Sequence, residues 1–108
     1  MYNIILKKHI MYISGSVIFP DIMSILNIFN KIVARDFNKI IVNLRFLEYS
    51  NTSMLLLMIS FIKIAFKKEK KIKFINVPDF LIELSRVYNL NKILYNYKFR
   101  RYYVKREN

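Results

Sequence analysis

The sequence predicts an α/β domain: a mixed β-sheet of about four strands with helices packed against it, in the order β-β-α-β-α-β-α. Three observations carry this. Short β-branched runs such as Ile40-Ile41-Val42 alternate with stretches whose apolar residues recur at helical spacing. Polar or proline-containing clusters stand before each of those stretches, where a helix must satisfy its free N–H groups. The 108 residues are 55% hydrophobic, enough for one core but not for two domains.

Asn3 to Leu6 and Ile10 to Ile13 read as two short antiparallel strands separated by a basic interruption, with Ser14-Gly15-Ser16 as a turn-like cluster after them. From Asp21 the period changes. Ile22, Ile25, Leu26, Phe29, Ile32 and Val33 mark one stripe of an amphipathic helix that ends near Asp36, and Asp21 stands where it can cap the first turn. Lys39 to Leu44 is a continuous apolar run, the pattern of a strand buried on both faces in a parallel sheet. The polar segment from Glu48 to Ser53 leads into Met54 to Phe66, a helix buried nearly all round, on which Ser53, Ser60, Lys63 and Lys67 share the polar face. After a basic turn, Lys67 to Lys71, comes a strand from Ile72 to Ile75. Asn76-Val77-Pro78-Asp79 then opens a last helix, since proline fits the first helical turn, and Asn89-Leu90-Asn91 closes it. The domain spans residues 1–94; residues 95–108 form a basic tail with interleaved aromatics.

Composition removes much of enzyme chemistry. With no cysteine there is no disulfide, thiolate metal site or cysteine nucleophile. One histidine excludes a multi-histidine metal centre, and one glycine excludes glycine-rich phosphate loops. The acids Asp21, Asp36, Glu48, Glu69, Asp79, Glu83 and Glu107 are scattered without metal-ligand spacing. His9 sits beside Lys7 and Lys8 with nothing to nominate an orienting group or a nucleophile. No catalytic residue, metal or cofactor is expected. The net charge of +12 points to an anionic partner. Ile, Lys, Asn, Tyr and Phe together exceed half of the chain, and all have A/T-rich codons, so compositional drift competes with selection as the source of that charge. The longest apolar stretch, Met54 to Ile62, is short of the roughly 20 residues that span a bilayer. The N-terminal segment has its lysines in the middle, the wrong order for a signal peptide, so a cytoplasmic location is expected.

The strand Ile40-Ile41-Val42-Asn43-Leu44-Arg45 and the loop-to-helix segment Ser50-Asn51-Thr52-Ser53-Met54-Leu55 resemble the signature of STAS domains, in which a strand ending Asp-Leu-Ser leads to Asp-Ser/Thr-x-Gly-Leu at a helix start. Ile13-Ser14-Gly15 looks like that family's early strand end. Val77 through Leu84-Ser85-Arg86-Val87-Tyr88-Asn89-Leu90 looks like its last strand–helix unit. Threonine at Thr52 and the ending Tyr88-Asn89-Leu90 are most similar to the MlaB branch, the small cytoplasmic subunits of a bacterial phospholipid-transport ABC complex that maintains outer-membrane lipid asymmetry. The resemblance covers about Met11 to Leu94. It departs from the family where Asn43 and Asn51 replace acids and where Met54 replaces the helix-start glycine, a change expected to crowd a partner there.

The resemblance implies a non-catalytic accessory subunit that binds the ATPase of the transporter and is peripheral to the inner membrane through that partner. The implied interface is Thr52 with Ser50, Asn51 and Ser53 beside it, continued along the helix by Ser60 and Lys63. From the residues alone Thr52 also reads as a helix N-cap, worth roughly 1 kcal/mol. Two other readings stand beside this one. An anti-sigma-factor antagonist would use the same loop with a phosphorylatable residue, a reading disfavoured by the missing acids. A small basic RNA- or ribosome-binding protein would use the tail, where Tyr97, Phe99, Tyr102 and Tyr103 alternate with Lys98, Arg100, Arg101, Lys105 and Arg106; anionic lipid headgroups attract such a run as well.

Overall fold

Alternation along the strands decides which side of the sheet is covered. Met11 and Ile13, Ile40 and Val42, and Ile72 and Phe74 are buried, while the residues between them are only half-buried or exposed. A period of two places each buried set on one face of its strand. The structure is a computed structural model, and it describes residues 1–49 and 51–90.

Among the described residues, five strands and three helices form the fold. β1 (Tyr2–Lys7) and β2 (Ile10–Ser16) make an antiparallel hairpin, with Ile4 opposite Ile13. A 3-10 turn, Phe19–Asp21, leads into α1 (Ile22–Val33). β3 (Lys39–Asn43) runs parallel to β2, and the three-residue β4 (Leu47–Tyr49) follows. α2 (Thr52–Lys67), β5 (Lys71–Ile75), which is parallel to β3, and α3 (Asp79–Val87) complete the described elements. The sheet order is β1-β2-β3-β5, with β4 pairing β2 off that path. The expected mixed α/β architecture is therefore observed.

Several local expectations are corrected. Lys8 and His9 form the hairpin turn, with Lys8 at φ 56, and Ser14-Gly15-Ser16 lies inside β2 rather than in a turn. The sheet has a fifth strand that the polar reading of residues 48–53 hid. β3 leaves β2 after Tyr12, and β4 takes up the vacated edge at Gly15 and Ser16. Gly15 makes this possible: its φ of 81 suits a residue without Cβ, its N–H donates to the Phe46 carbonyl at 3.1 Å, and an added Cβ would lie 2.3 Å from the Met1 carbonyl oxygen.

Among the described residues, helices cover β3 on one face only. The parallel strands β2, β3 and β5 follow one another in a single direction across the sheet. Crossovers of one hand then lay every connecting helix on the same side. α1, α2 and α3 accordingly share one core with the buried face, in which Phe29 and Phe61 stack at 4.2 Å between centroids. The opposite face, which carries Tyr12, Ile41 and Ile75, has no helix on it among the described residues.

The helix ends show why the chain turns where it does. α1 stops at Val33, short of Asp36. The Asp21 side chain does not cap it; its Oδ2 accepts from the Ile18 N–H at 3.0 Å and closes the preceding 3-10 turn instead. Pro78 precedes the first residue of α3 rather than lying within its first turn. Both α2 and α3 end in a left-handed residue, Glu69 (φ 58) and Asn89 (φ 58). The following N–H groups turn back to close the helix, Lys70 to the Ala65 carbonyl and Leu90 to the Ser85 carbonyl, at 2.9 and 2.7 Å. No helix among the described residues is long and apolar enough to cross a membrane.

Candidate functional site

β2, β3 and β5 end on the same side of the sheet, so the segments that begin α1, α2 and α3 gather there. In α/β folds this carboxyl end of the strands is where ligands and partners are usually met. Asn51 builds the junction. Its Oδ1 accepts the Met54 N–H at 3.2 Å and caps α2, while its Nδ2 donates to the Val17 carbonyl at 3.2 Å. One half-buried amide thus ties the start of α2 to the end of β2, 34 positions earlier.

This corrects the capping expectation. The N-cap is Asn51, and Thr52 is the first helical residue, exposed and pointing away from the core. Asparagine also does what the family-like aspartate could not, since an ionised carboxylate has no hydrogen to give the Val17 carbonyl. Asn43 plays a comparable structural part. Its Oδ1 accepts from the Arg45 N–H at 2.9 Å and from Asn76 Nδ2 at 3.1 Å, joining the loops after β3 and β5. Met54 is fully buried in the core, so it cannot crowd a partner at the helix start.

The expected interface residues are brought together in part. Thr52 and Lys63 are exposed on the outward side of α2, one above the other at helical spacing. Ser60 is half-buried and returns its hydroxyl to the Leu56 carbonyl at 3.0 Å. Ser53 and Asn51 are half-buried at the junction. Ser50, like the tail from Tyr95 to Arg106, lies outside the described residues.

The outward side of α2 is not a polar face. Leu56 is 48% exposed and Phe66 74% exposed, and both stand in the stripe with Thr52, Lys63 and Lys67. At the neighbouring start of α1, Ile18, Phe19 (69%) and Met23 (67%) are exposed as well, and Phe80 is exposed at the start of α3. Sequence reasoning passed over these residues. The available signal was the apolar run Val17-Ile18-Phe19 beside Pro20, which a core strand would not end on. Large apolar side chains exposed in groups can mark contact surfaces. The arrangement offers exposed apolar side chains, the Thr52 hydroxyl and the lysines Lys63 and Lys67. Among the described residues no three His, Asp or Glu side chains come together as metal ligands. No protein-family model matches the chain, and no curated protein matches its sequence.

Proposed function

We propose that this chain is a non-catalytic accessory subunit, similar to MlaB, that docks on the ATPase of a phospholipid-transport ABC complex on the cytoplasmic face of the inner membrane. The observation that carries the reading is the exposed stripe of α2, Thr52, Leu56, Lys63 and Phe66, whose N-terminal end is tied through Asn51 to Val17, next in the chain to the exposed Ile18 and Phe19. The STAS-like motif around Asn51 and Thr52 lies at the head of that stripe. The order of strands and helices, with all helices on one face, is compatible with such a domain. ATP hydrolysis and lipid handling belong to the partner subunits.

Co-expression with the transporter ATPase of the same genome tests the reading. Wild-type protein co-purifies with the ATPase; Thr52→Glu and the pair Leu56→Asp with Phe66→Asp do not, while each variant keeps its unfolding midpoint because the altered side chains are exposed. Failure of the wild type to retain the ATPase removes the transporter assignment. Retention by all three proteins removes the stripe as the interface.

A further inference from the structure

The sheet face that carries no helix among the described residues has its own chemistry. β1, β2, β3 and β5 contain four lysines and no Asp or Glu, and all four lysines (Lys7, Lys39, Lys71 and Lys73) fall on this face. The register places them in rows. Lys39 stands beside Lys71, and the next row across the sheet reads Lys7, Ile10, Ile41, Lys73. The row beyond reads Ile5, Tyr12, Asn43, Ile75. With strands about 4.8 Å apart, Lys7 and Lys73 stand roughly 14 Å from one another across the strip that Ile10 and Ile41 begin. Like charges on paired positions repel one another, so Lys39 beside Lys71 is a small cost that an anion relieves.

At the far end of the strip the Tyr12 and Phe46 rings meet edge to face at 6.5 Å, and Phe46 is 58% exposed. Beside them lies an open depression of about 600 Å³ bordered by Asn3, Ser14, Arg45 and Phe46, with Glu48 as the single acid on its rim. Arg45 is exposed there.

We propose that this face binds single-stranded nucleic acid, with phosphates on Lys7, Lys39, Lys71 and Arg45 and bases against Tyr12 and Phe46. Basic groups that follow the backbone and aromatic rings that stack bases are the two components of such sites, and a sheet surface presents both in one plane. Ile10, Tyr12, Ile41 and Ile75 are half-buried, level with the sheet rather than protruding. That suits flat bases better than insertion into a lipid layer. The site is separate from the α2 stripe and lies across the sheet from it, so neither proposal depends on the other.

The test is fluorescence anisotropy of the full chain with a short labelled oligouridylate over a salt series, with thiouridine photocrosslinking to locate the contact. Four phosphate contacts predict a slope of log affinity against log salt of about −3. Lys39→Glu with Lys71→Glu weakens binding at low salt at least about tenfold and flattens the slope by roughly 1.4, whereas the paired arginine variants retain binding. Phe46→Ala weakens it about 5- to 100-fold, the usual value of one stacked base. Leu56→Asp, on the other side of the molecule, changes nothing. Crosslinks fall on Tyr12 or Phe46. The proposal is overturned by absence of binding at low salt, by crosslinks confined to residues 95–106, or by lysine and Phe46 variants that bind as the wild type does. It is overturned equally if the chain ignores the oligonucleotide but adheres to vesicles of phosphatidylcholine and phosphatidylserine.

Discussion

Replacing Asn51 by aspartate isolates the interaction that joins the two halves of the parallel sheet's end. The substitution keeps the N-cap, because Asp and Asn accept equally well from the Met54 N–H, and it adds a charge that the helix dipole favours by about 0.3–1 kcal/mol. It removes the Nδ2 donor and leaves the Val17 carbonyl facing a carboxylate oxygen. Val17 is fully buried, and stripping the partner from a buried carbonyl costs about 1–3 kcal/mol. The loss outweighs the gain, so Asn51→Asp is less stable than the wild type by about 1–2 kcal/mol at neutral pH, or roughly 5–10 °C in Tm. Protonation shrinks the deficit. A neutral carboxyl can donate to Val17 and still accept from Met54, so the folded state favours the protonated form and raises the carboxyl pKa above its ordinary value of about 3.9. A raised pKa means the deficit is small in acid and grows as pH rises through the folded-state pKa. Urea unfolding of both proteins at neutral and at mildly acidic pH measures this. A variant at least as stable as the wild type at neutral pH, or a deficit that does not shrink in acid, refutes the bridging role of Asn51.

Three further substitutions probe the frame around the site. Gly15→Ala forces a Cβ into the Met1 carbonyl at a left-handed φ; we expect a loss of about 2–3 kcal/mol in chemical denaturation and faster hydrogen exchange at Ser16, whose N–H donates to that same carbonyl at 3.0 Å. Phe61→Ala empties the ring stacked on Phe29 in a fully buried position and costs about 3–5 kcal/mol, read from the urea midpoint at constant m-value. Glu69→Gly relieves a left-handed residue at the exposed end of α2 and raises stability by up to about 1 kcal/mol; no gain in Tm would mean that the Glu69 side chain contributes something the turn geometry does not show.

The parts of the fold that were legible are those set by local period. The α1 stripe is the clearest: Ile25, Phe29, Ile32 and Val33 are all buried, as helical spacing requires. The strand starts were legible from short, β-branched runs such as Ile40-Ile41-Val42, too short for a helix and bounded by polar residues. What was not legible depended on distant residues. The polar segment before α2 offers several possible caps, and the choice of Asn51 is made by the Val17 carbonyl, which only a tertiary structure brings near. β4 has three residues and no alternation to reveal it; it exists because β3 diverges from β2 and leaves Gly15 and Ser16 without a partner on that side. Ile41 looks like a two-sided core residue, but burial on its second face would need a helix on that side, and the succession of parallel strands supplies none. The candidate interface divides in the same way. Thr52 and Lys63 were found from motif and helical wheel, whereas Leu56 and Phe66 read as core because apolar residues in a mostly buried helix carry no mark of which way they point.

The same geometry makes the two proposed surfaces experimentally separable. The α2 stripe points away from the core, and the lysine-bearing face lies beyond the sheet. Between them stands a layer of fully buried side chains, among them Met58, Phe61 and Phe74. Substitutions at exposed positions separated by such a layer share no partners and act additively to within about 0.5 kcal/mol. A combined variant carrying Leu56→Asp together with Lys39→Glu and Lys71→Glu therefore loses ATPase retention and oligonucleotide binding by the amounts its parent variants lose singly. A non-additive result would mean that occupancy of one face is felt through the sheet at the other.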